Sequence, residues 1–212
     1  MLAFKSLISW ENKSDVGVYS YDSPKKNAVT SIWGVQNISK ETQHITYNSF
    51  LQPKHIQEMV DGGLHELEYT YDSDGQRMKA VSSVNGNTVS TKYYLGDGCE
   101  KIDGWYDHYI FVGGRMVAMV KRIAGANIGV ELYTFTDHLG SVVKVSNQYG
   151  YALYEQNFDP WGRKRNPNTW NYDNIPVTYA YWASSNRGFT GHEHLPDFKL
   201  IKYTDKGFCE LR

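Results

Sequence analysis

Leu67-Glu-Tyr-Thr-Tyr71, Asp72-Ser-Asp-Gly75, Met78-Lys-Ala-Val-Ser82 and Asn85-Gly86-Asn87 follow one another in the stretch that decides the fold. Leu67, Tyr69 and Tyr71 fall on one face of an extended chain, with Glu68 and Thr70 on the other. This is the period-two alternation of a half-buried strand. Ser73-Asp-Gly75 makes a turn. Asn85-Gly86 is a strong hairpin signal, because a type I′ turn needs positive φ at both central residues. The run from Val89 to Leu95 then returns as the next strand. The stretch predicts hairpin after hairpin.

The same phrase recurs outward at Tyr19 to Ser23, Ile45 to Phe50 and Tyr133 to Ser141. Tyr21, Tyr47, Tyr71 and Tyr94 stand about two dozen residues apart, as do Tyr109 and Tyr133, with Tyr154 following. Such a period fits one strand-turn-strand unit plus its link. Further turns are expected at Asp97-Gly98, Asp103-Gly104, Gly113-Gly114, Asp137 to Gly140 and Tyr149-Gly150. Strands are expected between them at 109–112, 116–122, 130–135, 142–146 and 152–158. Ile56, Met59, Val60 and Leu64 also have near-helical spacing. Gly62-Gly63 would end that helix after about two turns, which is marginal alone, so the repeat favours strand-turn-strand. Residues 166–173 and 182–187 look like irregular, aromatic-anchored loop, with one short strand at Leu200-Ile201. The expected division is a hairpin sheet over 1–165 and an irregular tail over 166–212.

Composition narrows the class. The chain has 212 residues, with 22 Lys and Arg against 23 Asp and Glu, a net charge of -1. That argues against a dedicated nucleic-acid binder, which is usually strongly basic. Its 41% hydrophobic and 15% aromatic content argues against disorder. Seventeen Tyr, and 19 Gly against 6 Pro, suit strands joined by tight turns. Cys99 and Cys209 make no disulfide framework, and whether they pair stays open. No apolar run approaches the ~18 residues of a membrane span. Lys5 interrupts the weakly apolar start, and no small-x-small cleavage site follows, so it is not read as a signal peptide.

Tyr69-Thr-Tyr71-Asp72-Ser-Asp-Gly75-Gln-Arg77 resembles the repeat that names the Rhs, or YD-repeat, family. Thr136-Asp137-His138-Leu-Gly140-Ser-Val142, Asp159-Pro160-Trp-Gly162-Arg163 and Arg187-Gly188-Phe189-Thr-Gly191-His192-Glu-His194-Leu195 are similar to the core near the end of the Rhs shell. The resemblance covers roughly residues 19 to 198. It implies a long sheet of successive hairpins wound into a hollow shell that encloses a variable toxin, in exported or surface-exposed bacterial proteins. It also implies a self-cleaving aspartate motif just past the Gly-His-Glu-His phrase. Here the chain instead runs Lys199 to Arg212 with no counterpart of those aspartates. It is accordingly expected to be a fragment of such a shell.

Each chemically suggestive group has a plainer reading. His192 and His194 would share a strand face and reach a zinc ion with a third ligand, but the zincin pattern needs two His four apart on a helix. A hydrogen-bonded turn is favoured. Asp137, His138 and Ser141 name a triad on paper, yet no Gly-x-Ser-x-Gly elbow is present, and Asp137 and Gly140 suit a hairpin turn. Cys99 sits in a Gly-Asp-Gly-Cys turn without a local base. Asp72-Ser-Asp74-Gly75 lacks the later ligands of a calcium loop. Arg163-Lys-Arg165 beside Trp161 suits a solvated turn.

The expected protein is therefore all-β, a curved sheet of consecutive antiparallel hairpins with a loop-rich C-terminal segment. It is expected to be a non-catalytic shell segment with no cofactor or metal. Its expected partners are the rest of the shell and the toxin cargo, with neither nucleic acid nor a membrane span, at the cell surface or outside. The alternatives are a glycan- or protein-binding module using its Tyr and Trp surface, and a metal-dependent or self-cleaving hydrolase. Alone, such a sheet leaves two open edges and an uncovered apolar face.

Overall fold

The computed structural model of the chain describes residues 18–20, 30–33, 42–96, 98–126, 129–172, 175, 186–204 and 207–210. Among them, thirteen strands join in one antiparallel sheet in strict chain order. They are β1 (Val18–Ser20), β2 (Ser31–Trp33), β3 (Gln43–Tyr47), β4 (Pro53–Val60), β5 (Gly63–Tyr71), β6 (Arg77–Val84), β7 (Asn87–Tyr94), β8 (Cys99–Ile102), β9 (Trp105–Val112), β10 (Arg115–Ile123), β11 (Gly129–Thr136), β12 (Val142–Asn147) and β13 (Ala152–Glu155). Every strand pairs with its neighbour in sequence, and no described strand joins β1 to β13, so the sheet is open. The expected all-β architecture of consecutive hairpins is thus present.

Two kinds of turn recur in it. Asp61-Gly62, Asn85-Gly86, Asp103-Gly104 and Gly113-Gly114 are two-residue links with positive φ at both positions. Their backbone twist matches that of the flanking strands. Four more are five-residue turns that begin on Asn48, Asp72, Asp137 and Asn147. In each, the side-chain Oδ1 accepts the N–H groups two and four residues on, at 2.8–3.0 Å. The backbone closes twice around it, as in Asp72 N–H to Gln76 O at 2.9 Å and Gly75 N–H to Asp72 O at 3.2 Å. The fourth residue must turn left-handed: Gly75, Gly140 and Gly150 do so freely, while Leu51 does so at φ 61°. A register shift precedes each turn, at Thr46/Tyr47, Thr70/Tyr71, Phe135/Thr136 and Val145/Ser146. The recurring Tyr-Asp phrase therefore marks a strand end, a bulge and a side-chain-capped turn. Asp97 lies outside the described residues.

The segment that also had helical spacing is the β4–β5 hairpin. Ile56 pairs with Leu67 and both are buried, while Met59 lies on the other face and is exposed.

The C-terminal segment carries more strand than the single short one expected at Leu200-Ile201. There β16 (Glu193–Leu195), β17 (Leu200–Thr204) and β18 (Gly207–Glu210) form a small antiparallel sheet, while β14 (Asn157–Phe158) and β15 (Lys164–Arg165), in the stretch expected to belong to the large sheet, pair with each other instead. β18 pairs with β17 because Leu200, Ile201 and Lys202 are buried, where backbone groups need a partner on each side. Residues 182–185 of the expected aromatic loop lie outside the described residues. This segment packs on the large sheet. Leu195, Phe198 and Leu200 join Ile45, Ile56, Leu67, Tyr69 and Ala80 in one core. Tyr109, Met116, Met119, Leu132, Val142, Val145 and Tyr154 form a second. The apolar face over β3 to β6 is thus covered by the chain's own end.

Candidate functional site

Between the two apolar cores the buried face of the sheet turns charged. Tyr94, Glu100, Asp107 and Lys121 lie directly across from one another on β7 to β10, so they project to one side. Lys92 lies two residues before Tyr94 and points the same way. Arg77 enters from the start of β6. Two residues of the returning segment complete the group: Glu193 on β16, and Arg187, which bridges to Glu193 through its backbone.

Glu193 is the hub. Lys92 Nζ donates to its Oε1 at 2.5 Å, Arg77 donates to its Oε2, and the Tyr94 hydroxyl lies 3.1 and 3.2 Å from its two oxygens. Lys92 also holds Glu100 Oε2 at 2.6 Å, and Arg187 holds Glu100 Oε1 at 2.7 Å. Lys121 pairs with Asp107 at 2.5 Å. Aromatic faces line the cations: Arg77 lies 4.2 Å from the Tyr94 ring centroid and Arg187 4.7 Å from that of Tyr109. Buried charges persist only when paired and hydrogen-bonded, and these are.

The electrostatics follow. Burial alone would push the Glu193 carboxyl up, but Lys92 and Arg77 outweigh it and hold the group well below the usual carboxylate range. Asp107 goes the other way: burial outweighs the pull of Lys121 and raises it. Burial raises Tyr69, Tyr94 and Tyr109 well above the ordinary phenol value, reinforced by Glu193 beside the first two and Glu100 beside the third. At neutral pH Glu193 is therefore ionised and the three phenols are neutral.

The residues singled out from the sequence fall into four places. Tyr69 is buried in the first core, and the Tyr71 hydroxyl donates to Pro53 O at 2.7 Å. Asp72 with Gly75, Asp137 with Gly140, and Asp159 with Gly162 hold turns; His138 and Pro160 are exposed on two of them. The Asp159 turn repeats the five-residue geometry, with Oδ1 accepting from Trp161 and Arg163 at 2.9 Å. Arg77 reaches Glu193. Gly188, Phe189, Gly191, His192 and His194 form one knot, where His194 Nε2 accepts the Phe189 N–H at 2.9 Å and His192 Nδ1 lies 2.7 Å from Thr190 Oγ1. Ser141 Oγ accepts the Thr190 N–H at 3.1 Å. Asp137 and Ser141 thus hold backbone rather than a shared proton. Burial, then Glu100 and Asp107, push the Cys99 thiol up, away from a nucleophilic thiolate. Among the described residues, no three His, Cys, Asp or Glu side chains stand together as a metal cage.

Lys92, Glu100, Asp107 and Lys121 carried no sequence motif, and Arg187 and Glu193 lay inside the Arg187 to Leu195 phrase without a charge-pairing role being read for them. A signal existed: Lys92 is in phase with Tyr94, Asp107 with Tyr109 and Lys121 with Met119, so charge stands at inward positions of the alternation.

His194 gives a pH prediction. Burial, then the nearby Lys164 and His192 charges, lower it to about 3, against about 6.5 in an unfolded chain. Its contribution is therefore fully present above about pH 6.5 and is lost as pH falls toward 3, with a limiting slope of about 1.4 kcal/mol per pH unit. Urea unfolding at pH 7 and pH 5 should show the wild type losing more stability than His194→Gln, whose amide oxygen can still accept the Phe189 N–H without titrating. Equal losses would remove His194 as the cause.

No protein-family model and no curated protein matches the chain. Solved structures do. The crystal structure of TcdB2-TccC3 shares 17% identity with a TM-score of 0.59, over 80% of this chain and 9% of that one. The Photorhabdus luminescens Tc holotoxin pore shares 17% identity with a TM-score of 0.57, over 80% of this chain and 8% of that one. The chain thus spans less than a tenth of either, and the likeness is one of fold.

Proposed function

We propose that the chain is a structural segment of a hollow Tyr-Asp-repeat shell, a piece of wall that transforms no substrate. The open sheet carries this reading. Thirteen hairpin-linked strands run in chain order, and neither β1 nor β13 has a second strand partner among the described residues. An unpaired edge is a template for another strand, and more hairpins of the same kind would continue it. The fold likeness to Tc toxin chains more than ten times the matched length supports the same reading. The partners would be the rest of the wall and whatever it encloses, at the cell surface or outside the cell. The charged band supports a structural role too, since its groups face one another and are buried.

Sequencing the DNA flanking the reading frame tests this. In-frame Tyr-Asp hairpin repeats adjoining it are expected. Unrelated intact genes on both sides would overturn the proposal.

A second reading rests on a separate surface. Trp161, Trp170 and Tyr172 are about half exposed or more, and Arg163 and Arg165 stack on the Tyr172 and Trp170 rings at 3.7 and 4.5 Å. Exposed aromatics beside polar groups suit a glycan or a protein partner. A glycan array with the purified chain, and with Trp170→Ala, separates the two readings: specific binding lost in the variant would favour the module.

A further inference from the structure

Lys121 and Asp107 stand directly opposite each other on β10 and β9, joined by the Gly113-Gly114 turn. Their side chains are nearly out of water, and Nζ lies 2.5 Å from Oδ2. A carbon–oxygen bond is about 1.2 Å, so Nζ lies within about 3.7 Å of Asp107 Cγ, close to the ~3–3.5 Å of a near-attack arrangement. Asp107 Oδ1 is buried and has no hydrogen-bond partner among the described residues. On the other side of Asp107, Glu100 is its cross-strand partner on β8, facing the same way. Directly opposed side chains of this kind have Cβ atoms about 4.5–5.5 Å apart. Lys92, Arg187 and the Tyr109 hydroxyl fix Glu100 in that position.

We propose that Lys121 and Asp107 condense with each other, forming an isopeptide cross-link between β9 and β10 with Glu100 as the proton carrier. The reacting pair is the neutral one, amine and carboxylic acid, reached when a proton passes from Nζ to Asp107. Removing two charges from water favours that form, and the upward push on Asp107 agrees with it. The Nζ lone pair then bonds to Cγ, and the C=O π pair moves onto its oxygen. Glu100 takes a proton from the nitrogen and delivers it to the hydroxyl oxygen. The oxyanion reforms the carbonyl, the C–OH bond breaks, and water leaves. One water is lost, Glu100 ends as it began, and no electron acceptor is needed. The same exclusion of water that brings the pair together shields the amide from hydrolysis. A covalent tie across a hairpin suits a wall segment, although the condensation does not depend on that role.

Intact mass of the denatured full chain tests the proposal, freshly purified and after days at 37 °C. The wild type is expected one water lighter than its sequence, with a branched peptide joining Asp107 to Lys121. Lys121→Arg and Asp107→Ala are expected at full mass. Glu100→Gln is expected to condense at least about a hundredfold more slowly, the usual worth of a positioned acid–base group. Full sequence mass in aged wild-type protein overturns the proposal. So does water loss that persists in Lys121→Arg. Water loss that mild base reverses and that maps to Asp61-Gly62, Asp74-Gly75, Asp97-Gly98 or Asp103-Gly104 also overturns it, because a cyclic imide there has the same mass.

Discussion

Glu193→Gln is expected to destabilise the protein by about 3–5 kcal/mol, the usual cost of removing one partner from a buried ion pair. The substitution keeps the shape and removes the charge. Lys92 and Arg77 then face each other across Tyr94 with only Glu100 to offset them. The loss should concentrate where the C-terminal segment meets the sheet, since Glu193 is the segment's main charged contact with β6 and β7. Its carboxyl is held well below the ordinary range, so its contribution is present above the unfolded value of about 4.3. It is lost as pH falls below that value toward the folded one. The gap between wild type and variant should therefore be wide at pH 7 and narrower at pH 3. Urea unfolding at both values measures it. A gap below about 1 kcal/mol at pH 7 would reduce Glu193 to the worth of a surface pair.

Gly162→Ala is expected to cost about 2–5 kcal/mol, from two sources that can be separated. Gly162 is the left-handed corner of the Asp159 turn at φ 89°, where a side chain costs roughly 1–2 kcal/mol. An added Cβ would also stand 2.5 Å from Ile201 Cδ1 and 2.7 and 2.9 Å from the Phe189 ring. Phe158, Phe189 and Ile201 form a packed cluster there, and overpacking a core costs about 1–3 kcal/mol. Gly150→Ala is the control. Gly150 holds the same place in the Asn147 turn at φ 82°, yet a Cβ there would meet nothing within 4 Å. Thermal unfolding should show a clearly larger fall in Tm for Gly162→Ala, at roughly 2–4 °C per kcal/mol for a chain of this size. Equal falls would mean that the C-terminal segment does not press on that turn.

These two results bear on different parts of what the sequence makes legible. The Gly162 turn is visible in it: Asp159-Pro-Trp-Gly162-Arg163 carries the same Asp-to-Gly spacing as Asp72 to Gly75 and Asp137 to Gly140. The reason is local, because one side-chain oxygen caps two backbone N–H groups within the turn itself. The contact of Gly162 with Phe189 and Ile201 is not visible, since it joins residues far apart in the chain. The same division runs through the phrase around Glu193. Its two histidines drew attention as residue types. The structure puts His194 on a backbone N–H and gives the charge network to the glutamate between them.

Hairpin order, turn positions and the all-β class belong to the sequence alone. Period-two alternation, Asn-Gly and Asp-Gly pairs, and side-chain-capped turns each act over a few residues, and such interactions are written in local order. The tertiary structure decided that the end of the chain folds back as strands. It also decided which inward charges meet, and that Asp107, Lys121 and Glu100 stand in one row. Those outcomes depend on register between distant strands and on how far each group is removed from water, quantities that exist only once the sheet has assembled.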